Sequence, residues 1–284
     1  MFFDAHLGAT ALSARDLADL RFFGIAGALC PASDAVAPAT AAAIHAAWED
    51  LAGRVVRRLR RGGIAAWAAL GVHPRRIPWR GLEALLAELP ELLGRPEVVA
   101  IGEIGLEEGG AREEQVFARQ LAMARELRLP VLVHTPWRDK VRRTRRILAL
   151  LREADLPPER VLVDHADART VRMIRSFGHA AGVSLSAGGR GRAGPVEEAA
   201  RLVAALGPEG LVLDSDAGEG GGDLLALARA ADRMAKAGLS EAVVRRVCCG
   251  NALAWLGLSA RALREGANGR ERAASGRSGR PPSR

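Results

Sequence analysis

Apolar residues along this chain fall in short unbroken runs rather than in strict alternation with polar ones. MFFDAH, IAGALC, AAWAALGV, VVAIGEIGL, PVLVHTP, VLVDHA, AAGVSLS and LVLDSDA are such runs. Each is too short for a typical helix, and continuous Val/Leu/Ile/Ala runs predict strands buried on both faces, as in parallel sheets. The stretches between them carry helical spacing. Ser13-Ala14-Arg15-Asp16 is a capping-box pattern opening a helix that Gly24 ends. An Ala-rich helix is predicted over about Pro38–Arg61, stopped by Gly62-Gly63. GLEALLAELPELL is helical, with Pro90 expected to break or kink it. Further helices are predicted over about Arg112–Arg128 and Asp139–Glu153, from Ala168, after Pro195 and from Asp223, with a last pair over Ser240–Leu258. Eight strand–helix units within residues 1–260 predict an α/β fold, a single-domain (β/α)8 TIM barrel. A doubly wound open sheet is the alternative.

The ionisable residues inside this pattern are not scattered. Asp4 and His6 end the first run, Glu103 the fourth, His134 the fifth, Asp164 and His165 the sixth, and Asp214 and Asp216 the eighth. In a barrel, C-terminal strand ends form the face where catalytic groups gather. Imidazoles and carboxylates converging there suit a divalent transition metal. Any one of these residues alone would read as a hydrogen-bonded histidine or a helix-capping aspartate; it is the set that points to a metal centre. His73, in GVHP after the third run, faces the same mouth and is expected to touch substrate, whereas His45 and His179 read as structural or surface residues. Side chains at i and i+2 on a strand share a face, so a second histidine two positions after His6 would grip the same ion. That position is Gly8.

Composition adds little and removes some options. The apolar share is 49%, ordinary for a globular protein, and tyrosine is absent. Net charge is +8, but +5 of it lies in Arg261–Arg284, so the basicity is largely a property of that end. Residues 261–284 are rich in Arg, Gly and Ser with few apolar side chains, and are expected to be disordered. The Arg-rich helix RDKVRRTRRIL has no interleaved aromatics for base stacking, so it reads as a solvated face, and nucleic acid is a possible but not favoured partner. Cys30, Cys248 and Cys249 form neither a disulfide framework nor a zinc-ribbon spacing and read as reduced, buried thiols. No basic segment precedes an apolar core at the N-terminus, and no run is long enough for a membrane span. The expected location is the cytoplasm.

Taken together, the motifs resemble those of the TatD-type metal-dependent hydrolases. FFDAH resembles the opening FxDxHxH, AIGEIGL the segment GEIGLD, and LVLDSDA the segment LETDA. GVHP, PVLVHTPWRDK, VLVDHAD and the closing GNALAWLGL have counterparts too, and the fragments HTPWRDK, VLVDHAD and GNALAWLG are most similar to the TatD-related branch containing Ebo-cluster proteins. The resemblance covers about Met1–Leu258. It implies a (β/α)8 barrel with one or two divalent ions (zinc, manganese or magnesium). It implies that Glu103 bridges them, that His134 and His165 hold one, and that His6 and Asp216 hold the other. Asp216 would also act as the catalytic base, with Asp214 the alternative ligand on that strand. His73 and Arg138 would bind substrate, Arg138 as a bidentate clamp on phosphate or carboxylate. The implied reaction is attack of metal-activated water on an ester, phosphoester or amide of a small substrate. A DNase acting on nucleic acid, or a non-catalytic barrel that binds a ligand or partner, are the alternatives, the latter resting on Gly8.

Overall fold

The computed structural model describes residues 1–32, 39–185, 195–218 and 222–267. Its elements run β1 (Phe2–Asp4), α1 (Ala14–Phe22), β2 (Ile25–Pro31), α2 (Ala41–Asp50), α3 (Val56–Arg61), β3 (Ala65–Leu70), α4 (Leu82–Leu93), β4 (Val98–Gly105), α5 (Ala111–Leu127), β5 (Val131–His134) and α6 (Lys140–Glu153). They continue β6 (Val161–Val163), α7 (Val171–Ser176), β7 (Ala180–Ser184), α8 (Pro195–Leu206), β8 (Leu211–Asp214), α9 (Ala226–Lys236), α10 (Glu241–Arg245), α11 (Asn251–Leu256) and α12 (Ala260–Ala267). The eight strands pair in chain order, and every neighbouring pair is parallel. A parallel bridge between Leu7 and Ala217 joins the end of the first strand to the end of the last. This is the expected TIM barrel.

The unbroken apolar runs are explained by two cores. Phe3, Leu29, Ala65, Trp67, Ala69, Ala100, Leu132, Leu162 and Val212 fill the barrel interior. Their strand neighbours, such as Ala66, Ala68, Val131, Val133, Val161, Val163, Leu211 and Leu213, face outward and pack beneath the helices. Because successive strand side chains alternate, the inward row that holds Leu132, Leu162 and Val212 continues to His134, Asp164 and Asp214. One two-residue step therefore carries three strands from an apolar interior to a polar mouth.

Three expectations are revised. Pro90 does not break its helix: α4 runs through it to Leu93. Leu85, Leu86, Leu89, Leu92 and Leu93 are all buried there, and that packing outweighs the single missing N–H donor. The Ala-rich helix begins at Ala41 and passes through a π-helical turn at Leu51–Val55 before α3. The segment expected to be disordered from residue 261 instead continues as α12 to Ala267, and the remainder, 268–284, lies outside the described residues. Leu263 is 2% exposed and joins the interior core at the N-terminal end of the barrel. Gly27 makes room for it: a Cβ there would lie 2.5 Å from Leu263 Cδ2 and 2.8 Å from Phe3 Cδ2. The Gly/Arg segment 186–194 after β7 also lies outside the described residues. Among the described residues, no helix is long and apolar enough to cross a membrane. The three cysteines are buried, and none is in a disulfide.

Candidate metal centre

Glu103 is the hub of the mouth. It lies in β4 where the pairing register with β5 slips between Ile101 and Ile104, and it is 5% exposed. Its Oε1 is 3.2 Å from His134 Nδ1 and 2.9 Å from His165 Nε2. Its Oε2 is 3.5 Å from His73 Nε2 and 3.8 Å from His6 Nε2. Four histidines from four strand ends thus surround one carboxylate. Burial alone would push Glu103 toward its neutral form, but the fields of His6 and His165 and the His134 hydrogen bond hold it well below the usual carboxylate range. Burial likewise opposes charge on His134, yet hydrogen bonds to Glu103 and Glu107 raise it to about 9. His6 is raised well above its ordinary value against burial, by Glu103, Asp216 and Asp164.

The outer nitrogens have their own partners. His6 Nδ1 is 2.9 Å from Asp164 Oδ2, His165 Nδ1 is 2.8 Å from Ser184 Oγ, and His134 Nε2 is 2.7 Å from Glu107 Oε2. Each of these three rings presents one nitrogen to Glu103 and anchors the other, the arrangement that fixes the tautomer and direction of metal-binding imidazoles. His73 differs. Its Nδ1 accepts the Arg75 backbone N–H at 3.1 Å, which leaves the proton of the neutral ring on Nε2, facing Glu103. In that tautomer His73 is a donor into the mouth rather than a ligand.

Candidate ligand atoms gather in two sets that share Glu103. His6, Glu103, Asp164 and His165 form one, and His73, Glu103 and His134 the other. This grouping differs from the one the family resemblance implied: His165 falls with His6, and His134 with His73. Asp216 stands at the edge of the first set, 3.6 Å from His6 Nε2 and 3.9 Å from His165 Nδ1, with 32% of its side chain exposed. Asp214 is fully buried one step deeper, and neither of its oxygens has a hydrogen-bond partner. Burial and the nearby Asp164 push its carboxyl well above the usual range. Asp164 itself is held at about 2, against burial, by His165 and His6. A Cβ at Gly182 would run into Asp164 Oδ1, so a glycine on β7 keeps that carboxylate in place. His165 (φ 56°) and Asp216 (φ 46°) both hold left-handed backbone, where non-glycine residues are strained and functional residues cluster. The donor set, three anchored imidazoles around a buried ionised carboxylate, fits a divalent transition metal.

Arg138 is exposed on the rim after β5, next to Trp137, whose ring centre lies 6.3 Å from that of His165. Trp137 is 46% exposed and sits above the buried Lys140, Nζ 5.2 Å from its ring. Trp137, Glu107 and Ser184 were not singled out from the sequence. Glu107 had a signal, since it follows AIGEIGL where the resembled motif GEIGLD carries its own acidic residue. Ser184 had only its place, two residues after the Gly182 that accommodates Asp164.

The profile of a family described as TatD related DNase matches residues 17–218. The chain is 32% identical over 171 residues to an uncharacterized metal-dependent hydrolase of Methanocaldococcus jannaschii, covering 60% of this chain and 68% of that one. It is 44% identical over 75 residues to a 3'-5' ssDNA/RNA exonuclease TatD of a Rahnella species, a match spanning 24% of this chain and 27% of the exonuclease. The crystal structure of a TatD-like protein from Archaeoglobus fulgidus superposes with a TM-score of 0.75 at 29% identity, over 90% of this chain and all of the other.

Proposed function

This chain belongs to the TatD related DNase family, and on that premise we propose that it is a metal-dependent hydrolase acting on an ester or phosphoester bond of a small substrate. The observation that carries the reading is the orientation of His6, His134 and His165, each with one ring nitrogen toward Glu103 and the other anchored outward. These residues would hold one or two divalent ions. A bound ion would lower the pKa of its water toward about 7 and polarise the scissile bond.

The chain's own groups divide the remaining work. Asp216, about a third exposed at the rim and near His6 and His165, would take a proton from an attacking water. His73 would donate its Nε2–H to an oxygen gaining negative charge. Arg138, exposed beside Trp137, would clamp a phosphate or carboxylate with its guanidinium. Trp137 offers a flat apolar wall beside it.

The test is metal content of the purified protein by elemental mass spectrometry, alongside a His134→Ala/His165→Ala variant. About one or two divalent ions per chain, lost in the variant, support the reading. No ion after incubation with excess zinc or manganese overturns it. A second reading, exonuclease action on single-stranded nucleic acid, is favoured by exposed Trp137 at the mouth, because base–aromatic stacking suits a strand end. Shortening of a 5'-labelled single-stranded oligonucleotide, abolished by Glu103→Gln, would select it over the small-substrate reading.

A further inference from the structure

Glu107 lies outside both ligand sets, yet its carboxylate is held from two sides. Its Oε2 sits 2.7 Å from His134 Nε2, and its Oε1 accepts from Arg75 Nη2 at 2.9 Å. Its backbone is locked as well. The N–H groups of Glu107, Glu108 and Gly109 all donate to the carboxylate of Glu113, at 2.8, 3.0 and 2.9 Å. The carbonyl of Glu107 accepts from the buried guanidinium of Arg143. Helix α5, which carries Glu113, and helix α6, which carries Arg143, therefore grip one short loop and present one carboxylate to one histidine.

We propose that Glu107 is a positioning residue that selects the ligand atom of His134. An imidazole coordinates only through its deprotonated nitrogen. By accepting the Nε2–H, Glu107 would leave Nδ1, the nitrogen that faces Glu103, as the one to give up its proton to an incoming ion. His6 and His165 are anchored the opposite way, Nδ1 outward and Nε2 inward. The centre would thus be offered two histidines through Nε2 and one through Nδ1. Arg75 couples this to the substrate side, since its side chain holds Glu107 while its backbone N–H fixes the tautomer of His73. The inference rests on the metal-hydrolase reading.

The experiment uses the full chain loaded with zinc. Zinc affinity is measured by chelator competition, and the coordinated nitrogen of each histidine by long-range proton–nitrogen NMR of the imidazoles. Wild type is expected to show His134 bound through Nδ1. Glu107→Ala is expected to weaken zinc binding about 10–100-fold and to replace the single His134 signature by a mixture of tautomers. Glu107→Asp is expected to recover part of both. Glu107→Gln keeps the shape and guards against a folding defect; it should lie between alanine and wild type. Unchanged zinc affinity in both the alanine and glutamine variants, or His134 bound through Nε2 in wild type, overturns the inference while leaving the metal centre standing. Failure of wild type to bind zinc at all overturns the metal reading first and this one with it.

Discussion

Shortening Leu263 to alanine tests whether α12 is part of the barrel or an appendage. Leu263 is 2% exposed and packs into the interior core that also holds Phe3 and Trp67. Leu→Ala substitutions in such sites cost about 2–5 kcal/mol, the higher values going to sites that cannot collapse. This one is poorly placed to collapse. It packs against Gly27, which has no side chain to advance, and Phe3 is already within contact of the same glycine. A loss of about 3–4 kcal/mol is therefore expected. For a chain of this size, at about 2 °C per kcal/mol, the melting temperature should fall by about 6–8 °C. Thermal unfolding followed by circular dichroism measures this, and zinc affinity should stay at its wild-type value because α12 closes the end of the barrel opposite the mouth. A shift below about 1 °C would show that Leu263 is not buried in solution and would refute the docking of α12 on the barrel.

Lys140 is 1% exposed, donates to the Thr135 hydroxyl and carbonyl, and is lowered by burial to about 8. A depressed lysine means that the unfolded chain binds the extra proton, so this group's contribution to stability rises with pH between about 8 and 10.5. Relative to Lys140→Met, wild type should gain about 2 kcal/mol between pH 7 and 9.5 in urea unfolding, and a flat difference would reject the assignment. Arg138→Ala should raise KM for an anionic phosphoester about 10-fold or more with little change in kcat, read from steady-state kinetics; a pure kcat loss would place Arg138 at the reacting bond instead. Gly8→His should restore the gripping pair with His6 and tighten zinc about 10-fold by chelator competition, and unchanged affinity would mean that Asp164 or Asp216 already fills that role.

The barrel was legible because its strands are buried on both faces, which leaves continuous apolar runs that no amphipathic helix would produce. The polar mouth was legible for the same reason: His134, Asp164 and Asp214 interrupt those runs one inward step past Leu132, Leu162 and Val212. How the ligands divide was not legible. Whether His165 stands with His134 or with His6 depends on strand tilt and on the register slip at Glu103, and neither leaves a mark on periodicity. Glu107 went unread because its role lies in a loop, held by Glu113 and Arg143 from two separate helices. In α12, one buried leucine among arginines and glycines is too weak a pattern to outweigh composition. Pro90 illustrates the converse, a strong local signal overruled by the leucines packed around it.

The seam between β1 and β8 has a bearing on how the protein comes to hold an ion. Leu7 bridges to Ala217, Gly8 donates to the Ala217 carbonyl, and Asp216 donates its backbone N–H to the His6 carbonyl. Seven further strands lie between His6 and Asp216 along the chain. The ends of the ring can meet only when nearly all of it exists, and that long-range closure is entropically the slowest to reach. An ion that needs His6 beside Glu103 and His165 cannot serve as a seed for folding. It would arrive as a clasp on a finished ring, binding the closed form alone and so shifting the balance toward it by mass action. Metal supply would then set how long each ring stays shut rather than how fast it is made.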